Sequence, residues 1–297
     1  GIPEVDNAFA YSGNAFQFFA NLGRNSLDDA GMPIIATVRY CHPDTRYSCP
    51  YPNAFWDGSQ VAFGQGLVTE DIVAHELTHG VIDHEARLFY YRQSGAINEG
   101  FADAFGEFID LVNGPDPAAD RWKIGEDLSA PALTGPLRSM KDPTAFWHPD
   151  SMDSPYYHCA ATDNGGVHTN GGVMNKAVYL LTDGGSFNGY AVTGLGIPKV
   201  SGILYEALTN LLTSASGYAA LADALEQAAL TLYGPAEMAQ VRAAVEATRM
   251  RSQPYSCAAA SAPACDAPTA TQTFIFRDDL ENPSAPSWQA GAHWYYP

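Results

Sequence analysis

The residues His75-Glu76-Leu77-Thr78-His79 sit inside a run of helical apolar periodicity over 69–84. Residues four apart stand about 40° apart on a helical wheel, so both imidazoles leave the helix on one side. Neutral imidazole nitrogens bind zinc well, and catalytic zinc sites commonly take three protein ligands and keep a fourth position open for water. A third ligand is therefore required. A second periodic segment, 95–113, carries Gly95-Ala96-Ile97-Asn98-Glu99-Gly100-Phe101-Ala102-Asp103, and packing it beside the first brings up the carboxylate of Glu99. Glu76, about 100° round the wheel from His75, is placed to reach a water in the open position without ligating, which suits a general base. Asn98 and Asp103 are placed to accept the spare N–H groups of the histidines and so fix their orientation. The plain alternative is a helical histidine pair of the ordinary surface or core kind, and the carboxylate helix downstream weighs against it.

Further motifs follow in order: SGAINEGFAD at 94–103, LRSM at 137–140 and DNGGVHTN at 163–170. With HELTHG at 75–80 they resemble the thermolysin family of metallopeptidases, over a span from Pro3 to Met250. The resemblance implies an α+β fold of two lobes, with a shortened, mixed β-containing N-terminal lobe, a mainly helical C-terminal lobe and the active-site helix between them. It implies a zinc metalloendopeptidase with one catalytic zinc on His75, His79 and Glu99 and with Glu76 as base. His168 matches the family histidine that donates to the transition-state oxyanion, Asp163 the carboxylate that orients it, and Tyr90 the tyrosine that shares the task. Asn53 and Ala54 match the edge that pairs with the substrate backbone, and Arg138 the arginine that holds a substrate carbonyl. Ile72, Ile124, Leu128 and Leu137 fall where the family lines its S1′ pocket, which implies cleavage before bulky apolar residues. Taken singly, each of these four reads equally as ordinary core.

Glu99, Asp103, Glu107 and Asp110 fall within about 80° of one another on one helical face. An acidic stripe is often only a solvated face. Asp71, Asp120 and Glu126 are placed to converge with Glu107 and Asp110, and calcium takes six to eight oxygen ligands from such clusters. The resemblance implies a double calcium site here, but one of its shared carboxylates aligns with Lys123, so a single calcium is expected.

Thirty-three acidic against 15 basic residues give a net charge of -18, a field that repels nucleic acid and anionic membrane surfaces. No apolar run approaches the roughly 20 residues that span a bilayer. The chain starts at Gly1 without a leader, which reads as removal of a signal and pro-segment or as trimming. Of five cysteines, Cys41 and Cys49 bracket one short loop and Cys257 and Cys265 another, leaving Cys159 to stand alone or to pair with either cluster. Such usage favours an oxidising, extracellular compartment; the family resemblance adds the expectation of a secreted monomer that acts on peptides and proteins.

The expected organisation is a mixed lobe over 1–84, a helical lobe over 85–251 and a C-terminal extension over 252–297 containing strands. Helices are expected over 5–22, 69–84, 95–113, 170–183, 198–213, 217–233 and 235–250, with strands within 34–40 and 60–63. One rival reading is a binding protein on a peptidase scaffold, whose usual sign is loss of the base or a ligand; neither is lost here. Another is an exopeptidase, which needs a group dedicated to a substrate terminus, and none is visible.

Overall fold

The computed structural model describes residues 1–254 and Cys257, apart from Thr45, Pro115, Pro131 and Ala132. The expected strands of the C-terminal extension and the side chain of Cys265 lie outside the described residues. Helix α1 (Pro3–Asn21) leads into a three-stranded sheet in which β1 (Ala36–Thr37) runs parallel to β3 (Val61–Phe63) and β2 (Ala54–Trp56) antiparallel to it. The strand order β1-β3-β2 leaves β2 on an edge, paired through Ala54 with Phe63 and Trp56 with Val61.

Two helices organise the rest. Helix α2 (Glu70–His84) carries Glu70 and Asp71 in its first turn, where carboxylates complement the N-terminal dipole. Helix α3 (Arg92–Asn113) is buried without a break from Ser94 to Asp110, so it runs through the centre of the protein. Glycine lets neighbours approach it closely. A Cβ on Gly106 would stand 2.8 Å from the carbonyl oxygen of Asp71 on α2, and one on Gly100 would stand 2.7 Å from Sδ of Met174. Met174 belongs to α5 (Gly172–Asp183), which follows α4 (Thr162–Asn170). Helices α6 (Ile197–Glu206), α7 (Tyr218–Leu232) and α8 (Pro235–Ala247) complete the helical part.

The structure departs from the expected elements in specific places. The helix expected over 198–213 ends at Glu206 and widens into a π turn over Ala207–Leu211. Three antiparallel strand pairs were not foreseen: β4 (Lys123–Ile124) with β7 (Arg138–Ser139), β5 (Ser129–Ala130) with β6 (Leu133–Thr134), and β8 (Gly185–Phe187) with β9 (Tyr190–Val192). The last is a hairpin turning on Asn188-Gly189, both with positive φ (47° and 85°), the Asn-Gly chemistry that two-residue turns favour.

Cys41 bonds Cys49 as expected, and in place of a short Cys257–Cys265 loop the structure takes, of the alternatives open to Cys159, its pairing with Cys257 across 98 residues of sequence. Their Cα atoms lie 5.4 Å apart, inside the bridging range, and folding rather than nearness in sequence decides which thiols meet.

Candidate active site

Helices α2 and α3 bring three acceptor atoms together. His75 Nε2 lies 3.1 Å from His79 Nε2, and Glu99 places Oε2 at 3.5 Å from the first and Oε1 at 3.4 Å from the second. The outer ring nitrogens each face an acceptor: His79 Nδ1 bonds Asn98 Oδ1 at 2.7 Å, and His75 Nδ1 lies 2.9 Å from Asp103 Oδ1, within ion-pair distance though not aligned as a hydrogen bond. The Asn98 amide is oriented by its own Nδ2, which donates to Leu88 O. With protons held on Nδ1, each Nε2 presents a lone pair to the other and to a carboxylate. Three acceptors facing one another repel unless a cation sits between them, and Glu99 Oε2 has no hydrogen-bond partner although it is buried.

The spacing suits zinc. A tetrahedral edge is about 1.6 bond lengths, so bonds of about 2.0–2.2 Å put ligand atoms about 3.3–3.6 Å apart; the two separations to Glu99, 3.5 and 3.4 Å, fall in that range and the 3.1 Å between the imidazoles lies just under it. The electrostatics agree. Burial opposes ionisation of Glu99, yet His168, His79, His75 and Arg138 hold its carboxyl down to about 2. Burial also opposes charge on His75, yet Asp103 and Glu99 raise its pKa, so these surroundings favour a positive charge at this point.

Asp103 supports the centre from behind. It accepts Nε and Nη2 of Arg138 at 2.7 and 2.6 Å and Nδ2 of Asn175 at 2.8 Å. Burial would raise its pKa, but Arg138 and His75 hold it far below the carboxylate range.

A second chain of contacts enters from α4. Asp163, Asn164, Gly165 and Gly166 all have positive φ (53°, 49°, 84° and 81°), a left-handed turn that Asp, Asn and Gly tolerate best. The turn folds Asp163 back on His168, whose Nδ1 bonds Asp163 Oδ1 at 2.6 Å and whose backbone N–H donates to Oδ2 at 3.0 Å. Tyr90 Oη lies 3.1 Å from His168 Nε2 and donates to Glu99 Oε1 at 2.5 Å. Burial and the Glu99 charge push the phenol far above its ordinary pKa, so it stays protonated as a donor.

These groups open onto a cavity of about 500 Å³ that Glu76, His75, His79, Glu99, Tyr90, Arg138 and His168 line. Asn53 and Ala54 supply the strand edge, and Ile72, Leu128 and Leu137 an apolar wall. Ile124 does not line it. It pairs opposite Arg138 in β4–β7 and is fully buried in the core. Leu133, which sequence reasoning missed, lines the cavity from the short strand β6.

The acidic cluster lies at the far end of α3. Carboxylates of Asp110, Asp116 and Glu126 each place an oxygen within 4.8 Å of the others. Unpartnered buried oxygens remain on Glu107, Asp110, Asp116 and Glu126. Burial, with Glu126, Asp71 and Asp110 nearby, pushes Glu107 up to about 10; burial and Asp116 push Asp110 to about 9; burial and Asp71 push Glu126 to about 8. Asp71 has both oxygens engaged, by the Thr69 hydroxyl and by Gly125 N–H, each at 2.6 Å. Asp120 is not part of the set: its carboxylate pairs with Lys123 Nζ at 3.1 Å. Asp116 takes its place, from the Pro-rich loop after α3.

Residues 4–83 match the model of the thermolysin metallopeptidase catalytic domain, and residues 86–250 that of the thermolysin metallopeptidase alpha-helical domain. The chain belongs to the thermolysin family of metallopeptidases. It is 44% identical over 235 residues to a zinc metalloproteinase of Renibacterium salmoninarum, covering 75% of this chain and 42% of that protein. It is 39% identical over 248 residues to a bacillolysin of Bacillus cereus, covering 80% of this chain and 42% of the relative. Among solved structures, the precursor of protealysin, a metalloproteinase from Serratia proteamaculans, superposes with a TM-score of 0.67 at 31% identity, over 82% of this chain and 78% of the other. The chain thus spans less than half the length of the curated relatives it matches. Membership of this zinc-dependent family accords with the fold, which has few strands before α2 and a helical part after it, and with the acceptor triad of His75, His79 and Glu99.

Proposed function

We propose that this chain is the catalytic unit of a secreted zinc metalloendopeptidase that hydrolyses internal peptide bonds before bulky hydrophobic residues. The observation that carries the reading is the trio of mutually facing acceptors on His75, His79 and Glu99, set beside Glu76 in an apolar-walled cleft. In this reading 1–84 and 85–251 act as the two lobes that face each other across that cleft.

Zinc held by the three residues supplies Lewis acidity, which in favourable sites brings the pKa of a coordinated water to about 7. Glu76 then takes a proton from the attacking water and returns it to the leaving amine. Tyr90, protonated, and His168, held by Asp163, donate hydrogen bonds to the oxygen that gains charge. Arg138 holds a substrate carbonyl while its Nε and Nη2 remain with Asp103. Asn53 and Ala54 on the edge of the sheet pair with the substrate backbone as an added strand. Ile72, Leu128, Leu133 and Leu137 receive the side chain after the scissile bond.

One calcium bound by Asp110, Asp116 and Glu126, with Glu107 adjoining, supports the fold. Secretion accords with two disulfides, and among the described residues no helix is long and apolar enough to cross a membrane. Removal of a pro-segment accords with a solved relative that is a precursor.

The test is peptide cleavage with Glu76→Gln. Zinc content should be unchanged and kcat should fall about 10²- to 10⁴-fold. Full activity in that variant refutes the assignment. Product mapping on internal and terminal peptide libraries separates endopeptidase from exopeptidase action, and tight peptide binding without cleavage by the unaltered, zinc-loaded chain would favour a binding protein instead.

A further inference from the structure

The loop closed by the Cys41–Cys49 disulfide carries His42 and Tyr47, whose rings join those of Tyr40, Tyr51 and Phe55 in a group that the mechanism does not use. Tyr40 N donates to Phe63 O at 2.8 Å, and Tyr51 N to Tyr40 O at 3.1 Å, so both flanks of the group are tied to the end of β3. The Tyr47 ring lies 4.4 Å between centroids from His42 and 5.6 Å from Tyr51, and Tyr51 lies 6.1 Å from Phe55. Phe55 stands on the edge strand β2 and lines the catalytic cleft. Tyr47 is nevertheless 48% exposed. Its ring is braced by two neighbours and still offers surface to solvent.

A ring held in this way loses little freedom when a ligand covers it, and tyrosine adds broad apolar area with a polar tip. The spacing matters as well. Successive same-face side chains of an extended peptide recur about every 6.6 Å, close to the ring steps from Phe55 to Tyr51 and on to Tyr47. We infer that Tyr47, braced by His42 and Tyr51, contacts the substrate outside the catalytic centre, receiving an aromatic or large apolar side chain beyond the two residues that flank the scissile bond. The inference rests on the peptidase reading above. The competing account is that the rings only pack the disulfide-closed loop, which predicts a change in stability and none in substrate preference.

The test uses the full zinc-loaded chain and peptides sharing one cleavage site with leucine after the scissile bond. Tryptophan or glycine is placed in turn at the second, third and fourth residue on either side. The unaltered chain should prefer tryptophan at one or more of these positions. Tyr47→Ala should lower the tryptophan-to-glycine ratio of kcat/KM there about two- to tenfold, mainly through KM, and Tyr47→Phe should retain it. Tyr190→Ala, which removes another exposed ring on the β8–β9 hairpin, serves as the control and should leave every ratio unchanged. No preference in the unaltered chain, or superposable ratios with Tyr47→Ala, overturns the inference and leaves the peptidase reading intact. No cleavage by the unaltered chain overturns both.

Discussion

Asp103 accepts two hydrogen bonds from Arg138 where both side chains are buried, and the same carboxylate lies 2.9 Å from the outer nitrogen of His75. One group therefore neutralises a buried guanidinium and orients an imidazole of the acceptor triad. Asp103→Asn keeps the shape and removes the charge. Breaking a buried pair costs about 3–5 kcal/mol, and loss of an orienting partner costs about 10- to 100-fold in metal affinity. Zinc competition against a chelating dye, with a denaturant melt in parallel, measures both. Undiminished zinc affinity would show that Asp103 does not orient His75.

Tyr90 and His168 should act on turnover more than on metal binding. Tyr90→Phe and His168→Ala should each reduce kcat about 10²- to 10³-fold, the usual loss of one transition-state donor, while KM moves little. Zinc analysis of each variant guards against indirect loss, because Tyr90 also donates to Glu99. An effect on KM alone would remove both from the catalytic role.

Glu107, Asp110 and Glu126 give a pH dependence whose sign can be worked out. Their folded pKa values, about 10, 9 and 8, lie above the unattached values of 4.5, 3.8 and 4.5. The native state therefore holds more protons than the unfolded chain between those limits, and stability falls as pH rises. The stabilisation is complete below the unfolded values and is lost as pH passes through 8 to 10. Calcium, which binds the ionised carboxylates, should reverse the trend. Melting temperatures from pH 5 to 9.5, with calcium or with a calcium-selective chelator, should diverge as pH rises. Parallel curves would leave the cluster without a cation.

The Cys159–Cys257 disulfide closes a loop spanning 98 residues of sequence separation. In the chain-entropy description a loop of that size is worth about 4–5 kcal/mol. The double variant Cys159→Ser/Cys257→Ser should shift the denaturant midpoint downward accordingly, with zinc content retained. An unmoved midpoint would mean that the helical part needs no such tie.

The meeting of His75, His79 and Glu99 was legible because helical spacing alone aims the first two and the order of motifs supplies the third. Asp116 was not, since an acid in an aperiodic Pro-rich loop carries no phase, and Asp120 looked equivalent until Lys123 was seen to take its carboxylate. Ile124 was expected in the pocket and Leu133 carried no expectation for a related reason: they stand on two-residue strands, too short for alternation to show which side chain meets the core and which the cavity. The β8–β9 hairpin has its signal in the sequence, the Asn188-Gly189 pair that two-residue turns favour. The partner of Cys159 stays open in the sequence, because spacing along the chain does not say which thiols meet, and the fold brings it to Cys257. The left-handed turn at Asp163–Gly166 was visible only as composition, and its effect of bending Asp163 onto His168 needed the backbone.

Gly106 touches no ligand atom, yet the missing Cβ there is what allows α3 to lie against the carbonyl of Asp71 and beneath His75. The gap between the two helices is the ruler that sets how far Glu99 stands from the histidines. On the proposed zinc assignment, metal affinity would therefore answer to a residue outside the ligand set. Gly106 would be the place to loosen the grip on the ion while leaving His75, His79 and Glu99 as they are.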